Sequence, residues 1–164
     1  MDRKESVFKV LAELNITYVL TNHPPVPTVE EAAKYWVDLD AAHCKNLFFR
    51  NHKGDKHYLV LLDFRQSLFI KDLEHRLKQG KISFASAERM DKYLGLKAGS
   101  VSPFGLIHDL ENHVHVFIDK NLEHVEKISF HPNDNTATLV LSLKDFIKFL
   151  EWSGNNYEFI NLYD

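Results

Sequence analysis

The chain has 164 residues, which suits one domain spanning residues 1–164, and hydrophobic residues make up 45% of it. Its formal net charge of −3 argues against a broad basic face that binds DNA regardless of sequence, but leaves room for contact with a few phosphates. No apolar run approaches the ~20 residues of a membrane span, the charged N-terminus has no signal core, and the single Cys44 cannot form an intramolecular disulfide, so we expect a cytoplasmic protein.

The N-terminal part of the chain is predicted to contain two helices and a strand. Apolar residues at helical spacing predict a helix over residues 4–14, and the run after it predicts a strand over residues 16–20. Thr28 and Glu31 have the spacing of a capping box. We therefore expect a second helix that ends near Trp36.

A β-hairpin and two helices are predicted next. Strands over residues 45–50 and 57–63 flank a polar loop that contains a glycine. The second strand is apolar almost throughout, so we expect it to be covered on both faces. Helices follow over residues 70–79 and 86–95, where Gly95 suits the left-handed position after a helix end.

The C-terminal part is predicted to be rich in strands. Three strands are expected, over residues 114–119, 127–130 and 136–141. Residues 131–135 form the turn between the last two. Ser142 is placed to cap a final helix that Gly154 ends, and residues 157–162 predict an edge strand. Strands and helices are interspersed and several strands are hairpin-linked, so we predict a mixed α/β (α+β) domain and not a doubly wound parallel sheet.

Two neighbouring residues at the start of the predicted hairpin are candidates for chemistry. Lys45 can present a point charge to a phosphate or to an ester carbonyl, and Asn46 offers both a donor and an acceptor beside it. A solvated lysine next to a turn-forming asparagine is the simpler interpretation of this spacing alone.

A glycine loop and a turn histidine are the other candidates. The loop consists of Gly99, Ser100, Val101, Ser102 and Pro103. Gly99 allows a ligand to approach the backbone closely, and successive amides can hold an anion or the oxyanion of ester hydrolysis. His131, fixed by Pro132, can act as a general base or bind a substrate hydroxyl. An ordinary loop and a histidine in solvent explain the same residues equally well.

Cysteine and metal chemistry are not expected. Cys44 follows His43, but adjacent residues of a strand point to opposite faces, so a buried structural thiol is favoured. His113 and His115 share a strand face, yet no third ligand has a recognisable spacing, and we expect no metal site. No nucleotide-binding fingerprint is present, so we expect no cofactor.

Taken in order, these segments resemble the YbaK/prolyl-tRNA-editing family. The similarity lies in His23-Pro24-Pro25 with Thr28-Val29-Glu30-Glu31-Ala32, in Cys44-Lys45-Asn46-Leu47-Phe48, in Gly99-Ser100-Val101-Ser102-Pro103-Phe104, and in Phe130-His131-Pro132 with Asn135-Thr136-Ala137-Thr138. It extends from about residue 3 to residue 152. The chain departs from the family pattern at Pro27, where an apolar or aromatic residue is expected, and at Asn133, where an aliphatic one is expected.

The resemblance implies a fold and a function. The fold is a compact domain around a barrel-like mixed β-sheet, with a pocket between the Lys45 strand, the glycine loop and the His131 turn. The closest likeness is to the branch of the family that hydrolyses mischarged alanyl-tRNA(Pro). It implies an aminoacyl-tRNA hydrolase that acts on the acceptor end of tRNA(Pro), with prolyl-tRNA synthetase as a candidate partner.

The resemblance also implies roles for individual residues. Lys45, Asn46 and His131 would be catalytic, and Thr28 and residues 99–103 would bind the substrate. Backbone amides of the loop would hold the ester carbonyl, a tRNA ribose hydroxyl would assist the attacking water, and a small pocket would admit alanine but not proline. Two other functions stay open: hydrolysis of cysteinyl-tRNA(Pro) or another small ester, and a non-catalytic module that binds tRNA or a synthetase.

Overall fold

The computed structural model describes residues 2–26, 28–36 and 39–163. Pro27, one of the two departures from the family pattern, lies outside this described part. No helix within it is long and apolar enough to cross a membrane.

Two of the helices end at the glycines that the sequence places there, and the last one begins at its capping serine. The described residues form α1 (Arg3–Glu13), α2 (Val29–Ala32), α3 (Ile70–Leu77), α4 (Ala87–Leu94) and α5 (Leu143–Ser153). The Ser142 hydroxyl accepts a hydrogen bond from the Asp145 amide at the start of α5, at 3.0 Å. Gly95 and Gly154 end α4 and α5 with φ of +64° and +80°, a region that glycine enters without steric cost. These predicted boundaries are confirmed.

The strands form one mixed sheet flanked by the helices. They are β1 (Val19–Asn22), β2 (Ala42–Asn51), β3 (His57–Asp63), β4 (Ile82–Phe84), β5 (Val114–Asp119), β6 (Lys127–Phe130), β7 (Ala137–Ser142) and β8 (Tyr157–Ile160). Their order is β1-β7-β6-β2-β3-β5-β8, and β4 also pairs with β2. Three pairs are parallel, namely β2–β6, β3–β5 and β5–β8, and the others are antiparallel. The predicted mixed architecture is therefore confirmed.

The long strand β2 joins the two parts of the sheet. Its first residues pair with β6, where Ala42 is opposite Ile128 and His43 is opposite Ser129. The rest of the strand pairs with β3. The start of β2 consequently lies beside the end of β6, from which the chain enters the turn at residues 131–135.

Strand β3 is buried on both faces, as its apolar sequence predicts. Leu59 and Leu61 pack in the cluster that includes α1, α4 and α5, whereas Val60 and Leu62 pack in the cluster that includes α3. All four side chains are fully buried. Each contributes about 1.5–3 kcal/mol of burial free energy, which makes β3 a rigid support for β2.

Parts of the fold differ from the sequence-based expectation. The first strand begins at Val19 and not at residue 16, because the Ile16 amide hydrogen-bonds back to the Leu11 carbonyl and belongs to the end of α1. Strand β4 and a 3-10 helix over Pro103–His108 were not predicted. Strand β4 has three residues and only Ile82 is buried, so its alternation is too short to read in the sequence.

Candidate active site

A small cavity of about 150 Å³ lies where β2, the glycine loop and the turn after β6 meet. It is lined by Val26, Thr28, Ala32, Trp36, Cys44, Asn46, Gly99, Val101 and His131. An adjoining recess of about 10 Å³ shares four of these residues and adds Ser129, Phe130 and Thr138. The cavity therefore lies at the place that the resemblance implied.

Asn46 brings an unpaired acceptor into the cavity. Alternation along β2 puts Asn46 and Cys44 on the same face of the strand. The Asn46 Nδ2 group donates to the carbonyl oxygen of Val101 at 3.1 Å, which fixes the orientation of the amide. The Oδ1 atom is buried and has no partner among the described residues. An unsatisfied buried acceptor costs about 1–3 kcal/mol, so this oxygen is poised to accept from a ligand.

His131 supplies a second acceptor. Its Nδ1 atom lies 2.9 Å from the carbonyl oxygen of Ala137. A carbonyl only accepts, so Nδ1 carries the proton and Nε2 is the acceptor nitrogen of the neutral ring. Burial lowers the pKa of His131 from its ordinary value of 6.5, although the bond to Ala137 partly opposes this. The ring is therefore neutral near pH 7.

The glycine loop forms part of the cavity lining. Gly99 has a φ of +85°, which favours glycine, and it lines the cavity together with Val101. Within the described chain, the amides of these two residues donate to no other group, whereas the Ser100 amide donates to the Lys97 carbonyl at 3.1 Å. The amides of Gly99 and Val101 are thus without a partner among the described residues.

The end of the loop has a structural role. The Ser102 hydroxyl accepts from the Phe104 amide at 3.1 Å, and Pro103 begins the 3-10 helix that follows. Ser102 is fully buried and neither residue lines the cavity. They hold the shape of the segment that carries Gly99 and Val101.

Lys45 lies on the face of β2 opposite to Asn46. Its Nζ donates to the Gln66 carbonyl oxygen at 2.7 Å, and it is absent from the cavity lining. Gln66 borders a larger polar cleft of about 850 Å³, which His43 and Arg65 also line. Lys45 is consequently held outside the small cavity, on the side of this cleft.

Five of the nine predicted site residues line the cavity: Thr28, Asn46, Gly99, Val101 and His131. Four do not: Lys45, Ser100, Ser102 and Pro103. Thr28 also caps α2, because its hydroxyl accepts from the Glu31 amide at 3.2 Å, as the capping box predicts.

Apolar and aromatic lining residues were missed by the sequence analysis. The sequence marks Trp36 only as the end of a helix, since an isolated tryptophan carries no spacing signal. Val26 and Ala32 pack with it in one small cluster. Cys44 was expected to be a buried thiol, and it is buried; burial raises the pKa of that thiol well above its ordinary value, which keeps it protonated.

The histidines considered for a metal site contact different partners. His113 contacts His57 at 2.9 Å, whereas His115 contacts the Glu158 carboxylate at 3.0 Å. Residues 2–26, 28–36 and 39–163 contain no group of three or more metal-binding side chains.

Comparison with known proteins identifies the family. A family model described as the aminoacyl-tRNA editing domain matches residues 23–149, which is most of the chain. The chain belongs to the aminoacyl-tRNA editing family. Every residue that lines the small cavity falls within the matched range.

Relatives of this editing domain are similar over nearly their full length. The Prolyl-tRNA editing protein ProX of Acetoanaerobium sticklandii is 44% identical over 162 residues, which cover 99% of each chain. The Prolyl-tRNA synthetase associated domain-containing protein 1 of Bos taurus is 34% identical, with 92% of this chain and 90% of the relative covered. A solved structure, reported as a candidate trans-editing enzyme for prolyl tRNA synthetase, matches with a TM-score of 0.72 at 20% identity, covering 98% of both chains. That match supports the fold.

The editing domain also accommodates its second departure from the family pattern. Asn133 is fully buried and has a φ of +62°. Asparagine tolerates this left-handed conformation far better than a β-branched aliphatic residue does. The backbone of the turn therefore favours asparagine at this position, although neither polar atom of its buried side chain has a partner among the described residues.

Proposed function

We propose that this editing domain is a deacylase that hydrolyses the ester bond of mischarged alanyl-tRNA(Pro). The observation that carries the proposal is the small cavity in which two acceptors, Asn46 Oδ1 and His131 Nε2, accompany two available amides, those of Gly99 and Val101. An aminoacyl ester needs this combination, because it carries a donor-only ammonium group beside a carbonyl that becomes an oxyanion.

The two acceptors would bind the α-ammonium group of the alanyl ester. Asn46 Oδ1 has no competing partner among the described residues, and neutral His131 retains an unprotonated Nε2. A protonated imidazole would instead repel an ammonium group. Lowering the pKa of His131 by burial therefore favours substrate binding near pH 7.

The size of the cavity would select alanine over proline. The cavity has a volume of about 150 Å³ and is bordered by Trp36, Val26 and Ala32. A prolyl group has two ring carbons more than an alanyl group, and these would have to displace Trp36 or the apolar wall. Exclusion by a rigid wall discriminates more strongly than the ~1–3 kcal/mol that one methylene contributes to binding.

The amides of Gly99 and Val101 would stabilise the oxyanion when water attacks the ester carbonyl. Removing a single donor of this kind typically costs ~10²–10³ in kcat. A ribose hydroxyl of the terminal adenosine would assist the attacking water, and the C–O bond to the ribose oxygen then breaks. That oxygen takes up a proton, and the products are alanine and tRNA(Pro).

Lys45 would contact the tRNA outside the cavity. Its ammonium is held on the side of the larger cleft, so a phosphate of the acceptor end is a suitable partner and the ester carbonyl is not. With a net charge of −3, the protein would contact tRNA only locally, and prolyl-tRNA synthetase would be a partner that helps to select tRNA(Pro). Such an enzyme would act in the cytoplasm.

The deciding experiment is release of the amino acid from Ala-tRNA(Pro), Pro-tRNA(Pro) and Cys-tRNA(Pro) by the purified protein. We expect rapid loss of alanine alone. Preferential loss of cysteine would replace the proposed substrate and keep the deacylase chemistry. If all three esters survived, the chain would be a binding module, and acceptor-end binding without turnover would be the function to measure.

A further inference from the structure

The indole of Trp36 forms a wall of both the small cavity and the adjoining recess. It follows α2, which has four residues, and a 3-10 turn over Ala33–Tyr35. So short a helix does not define the direction of a side chain by itself. Trp36 is nevertheless buried, with 8% of its surface exposed, so its position must come from contacts of the indole.

Two aromatic rings hold the indole in place. Trp36 stacks face to face on His43, with ring centroids 4.5 Å apart and planes at 3°. Phe64 meets it edge-on, with centroids 5.0 Å apart and planes at 78°. His43 is itself held by Ser129, whose hydroxyl lies 2.5 Å from His43 Nδ1. The indole is therefore clamped against β2 and β6 and cannot tilt away from the cavity without losing the stack.

A chain of hydrogen bonds fixes the remaining freedom of the indole. His23 Nδ1 lies 2.9 Å from the Pro24 carbonyl oxygen, so in the neutral ring that nitrogen carries the proton and Nε2 accepts. The Thr138 hydroxyl, 2.9 Å from His23 Nε2, must then donate to it. The same hydroxyl oxygen accepts from Trp36 Nε1, at 3.2 Å. With His23 neutral, each of the three hydrogen bonds that link Trp36 to Thr138, His23 and Pro24 has a single donor and a single acceptor.

We infer that Trp36 is the specificity-determining wall of the amino-acid pocket, and that Thr138 and His23 are positioning residues that hold it. This inference rests on the proposed deacylase function. The occupant of the pocket is the side chain of the esterified amino acid. Trp36 limits it to the size of alanine, because an additional ring atom meets an indole that is stacked on one face and tied by its nitrogen.

The enzymatic test compares kcat/KM for Ala-tRNA(Pro) with that for Pro-tRNA(Pro) in substituted proteins. We expect Trp36→Leu to reduce the alanine-to-proline ratio at least tenfold, with hydrolysis of Pro-tRNA(Pro) rising. Thr138→Val removes the hydroxyl and should reduce the ratio in the same direction, whereas Thr138→Ser should restore it. Thr21→Val is the matched control. Thr21 is the cross-strand partner of Thr138 in the β1–β7 pair, whereas the hydrogen bonds to Trp36 and His23 are made by Thr138, so this substitution should leave the ratio unchanged. A ratio that stays constant while alanine release falls would overturn the inference.

A second measurement tests the positioning of Trp36 without any turnover. The chain has two tryptophans, so Trp152→Phe leaves Trp36 as the only tryptophan fluorophore. Acrylamide quenching of this protein should increase at least twofold on adding Thr138→Val and should not change on adding Thr21→Val. Equal quenching in the two would show that Thr138 does not hold Trp36. If the wild-type protein released no amino acid, the proposed function would fail, while this readout would still decide whether the hydrogen-bond chain holds the indole.

Discussion

Lys45 and Asn46 are adjacent in the chain, but their side chains lie on opposite faces of β2. Asn46 lines the small cavity and donates to the Val101 carbonyl, whereas Lys45 donates to the Gln66 carbonyl on the side of the larger cleft. The two residues therefore cannot share one task. Asn46 faces the cavity that we propose holds the amino acid, and Lys45 faces a group that lies outside this cavity.

Replacement of Lys45 should impair tRNA binding more than chemistry. We expect Lys45→Ala to raise KM for Ala-tRNA(Pro) about tenfold or more, because a charge-assisted contact with a phosphate contributes about 1.5–3 kcal/mol. The effect should shrink at high salt. Hydrolysis of alanyl-adenosine, which lacks the tRNA phosphates, should hardly change. Steady-state kinetics with both substrates measure this.

Lys53 offers a matched control for that substitution. It lies in the β2–β3 loop with 82% of its side chain exposed, so Lys53→Ala removes the same charge far from the cavity. A loss of kcat on alanyl-adenosine in Lys45→Ala would mean that Lys45 acts on the ester itself, contrary to its location.

Replacement of Asn46 should impair hydrolysis of the ester whether or not the tRNA phosphates are present. Asn46→Ala removes the oxygen proposed to bind the ammonium group, so kcat/KM should fall about 10- to 100-fold on tRNA and on alanyl-adenosine alike. The free energy of unfolding should change by less than ~1 kcal/mol, because the loss of the bond to Val101 is offset by removal of an unsatisfied buried oxygen. Kinetics and urea unfolding on the same preparation check both parts. A large loss of stability would mean that Asn46 acts mainly as a structural residue.

Much of the scaffold could be predicted because its signals are local. Ser142 and Gly154 mark the ends of α5, and the apolar run of β3 predicts a strand covered on both sides. Strand β4 could not be predicted in this way, since it exists through its pairing with β2, and Phe84 in it is largely exposed.

The candidate site was predictable in outline but not in detail. Adjacent residues of a strand point to opposite faces, and this rule separates Lys45 from Asn46 just as it separates His43 from Cys44. The sequence therefore already indicates that Lys45 and Asn46 have different roles. Trp36 could not be recognised, because its role depends on Thr138, about a hundred residues later in the chain, and on a stack with His43.

Acid should inactivate the enzyme through His131. The pKa of His131 is lowered from 6.5 by burial, so the neutral, accepting ring predominates at pH 7 and is lost as the pH falls through that lowered pKa. We expect kcat/KM for Ala-tRNA(Pro) to fall with decreasing pH, with a midpoint below 6.5. In His131→Asn, kcat/KM at pH 7 should be lower, but it should no longer fall as the pH decreases through this range. An unchanged fall in that variant would assign it to another group, such as His43, whose pKa burial also lowers.

Acid should also destabilise the fold through His57, which is buried at the start of β3 and does not line the small cavity. Arg89 donates to His57 Nε2 at 3.1 Å, so Nδ1 carries the proton and donates to His113 Nε2 at 2.9 Å. A second proton would have to enter a buried position that faces the Arg89 guanidinium. Burial, His113 and Arg89 accordingly lower the pKa of His57 to about 4.

The sign of this pH dependence follows from the neutral form that the fold requires. Between pH 6.5 and pH 4 the unfolded chain binds a proton at residue 57 and the folded chain does not, so stability is complete above pH 6.5 and is lost as the pH falls through this window. Between pH 7 and pH 4.5, we expect the free energy of unfolding of His57→Gln to fall by on the order of 2 kcal/mol less than that of the wild-type protein. Glutamine can accept from Arg89 and donate to His113 without titrating. Urea unfolding at both pH values measures this. Exposed His52→Gln is the control, and an equal effect of the two substitutions would show that the buried contacts of His57 do not cause the loss.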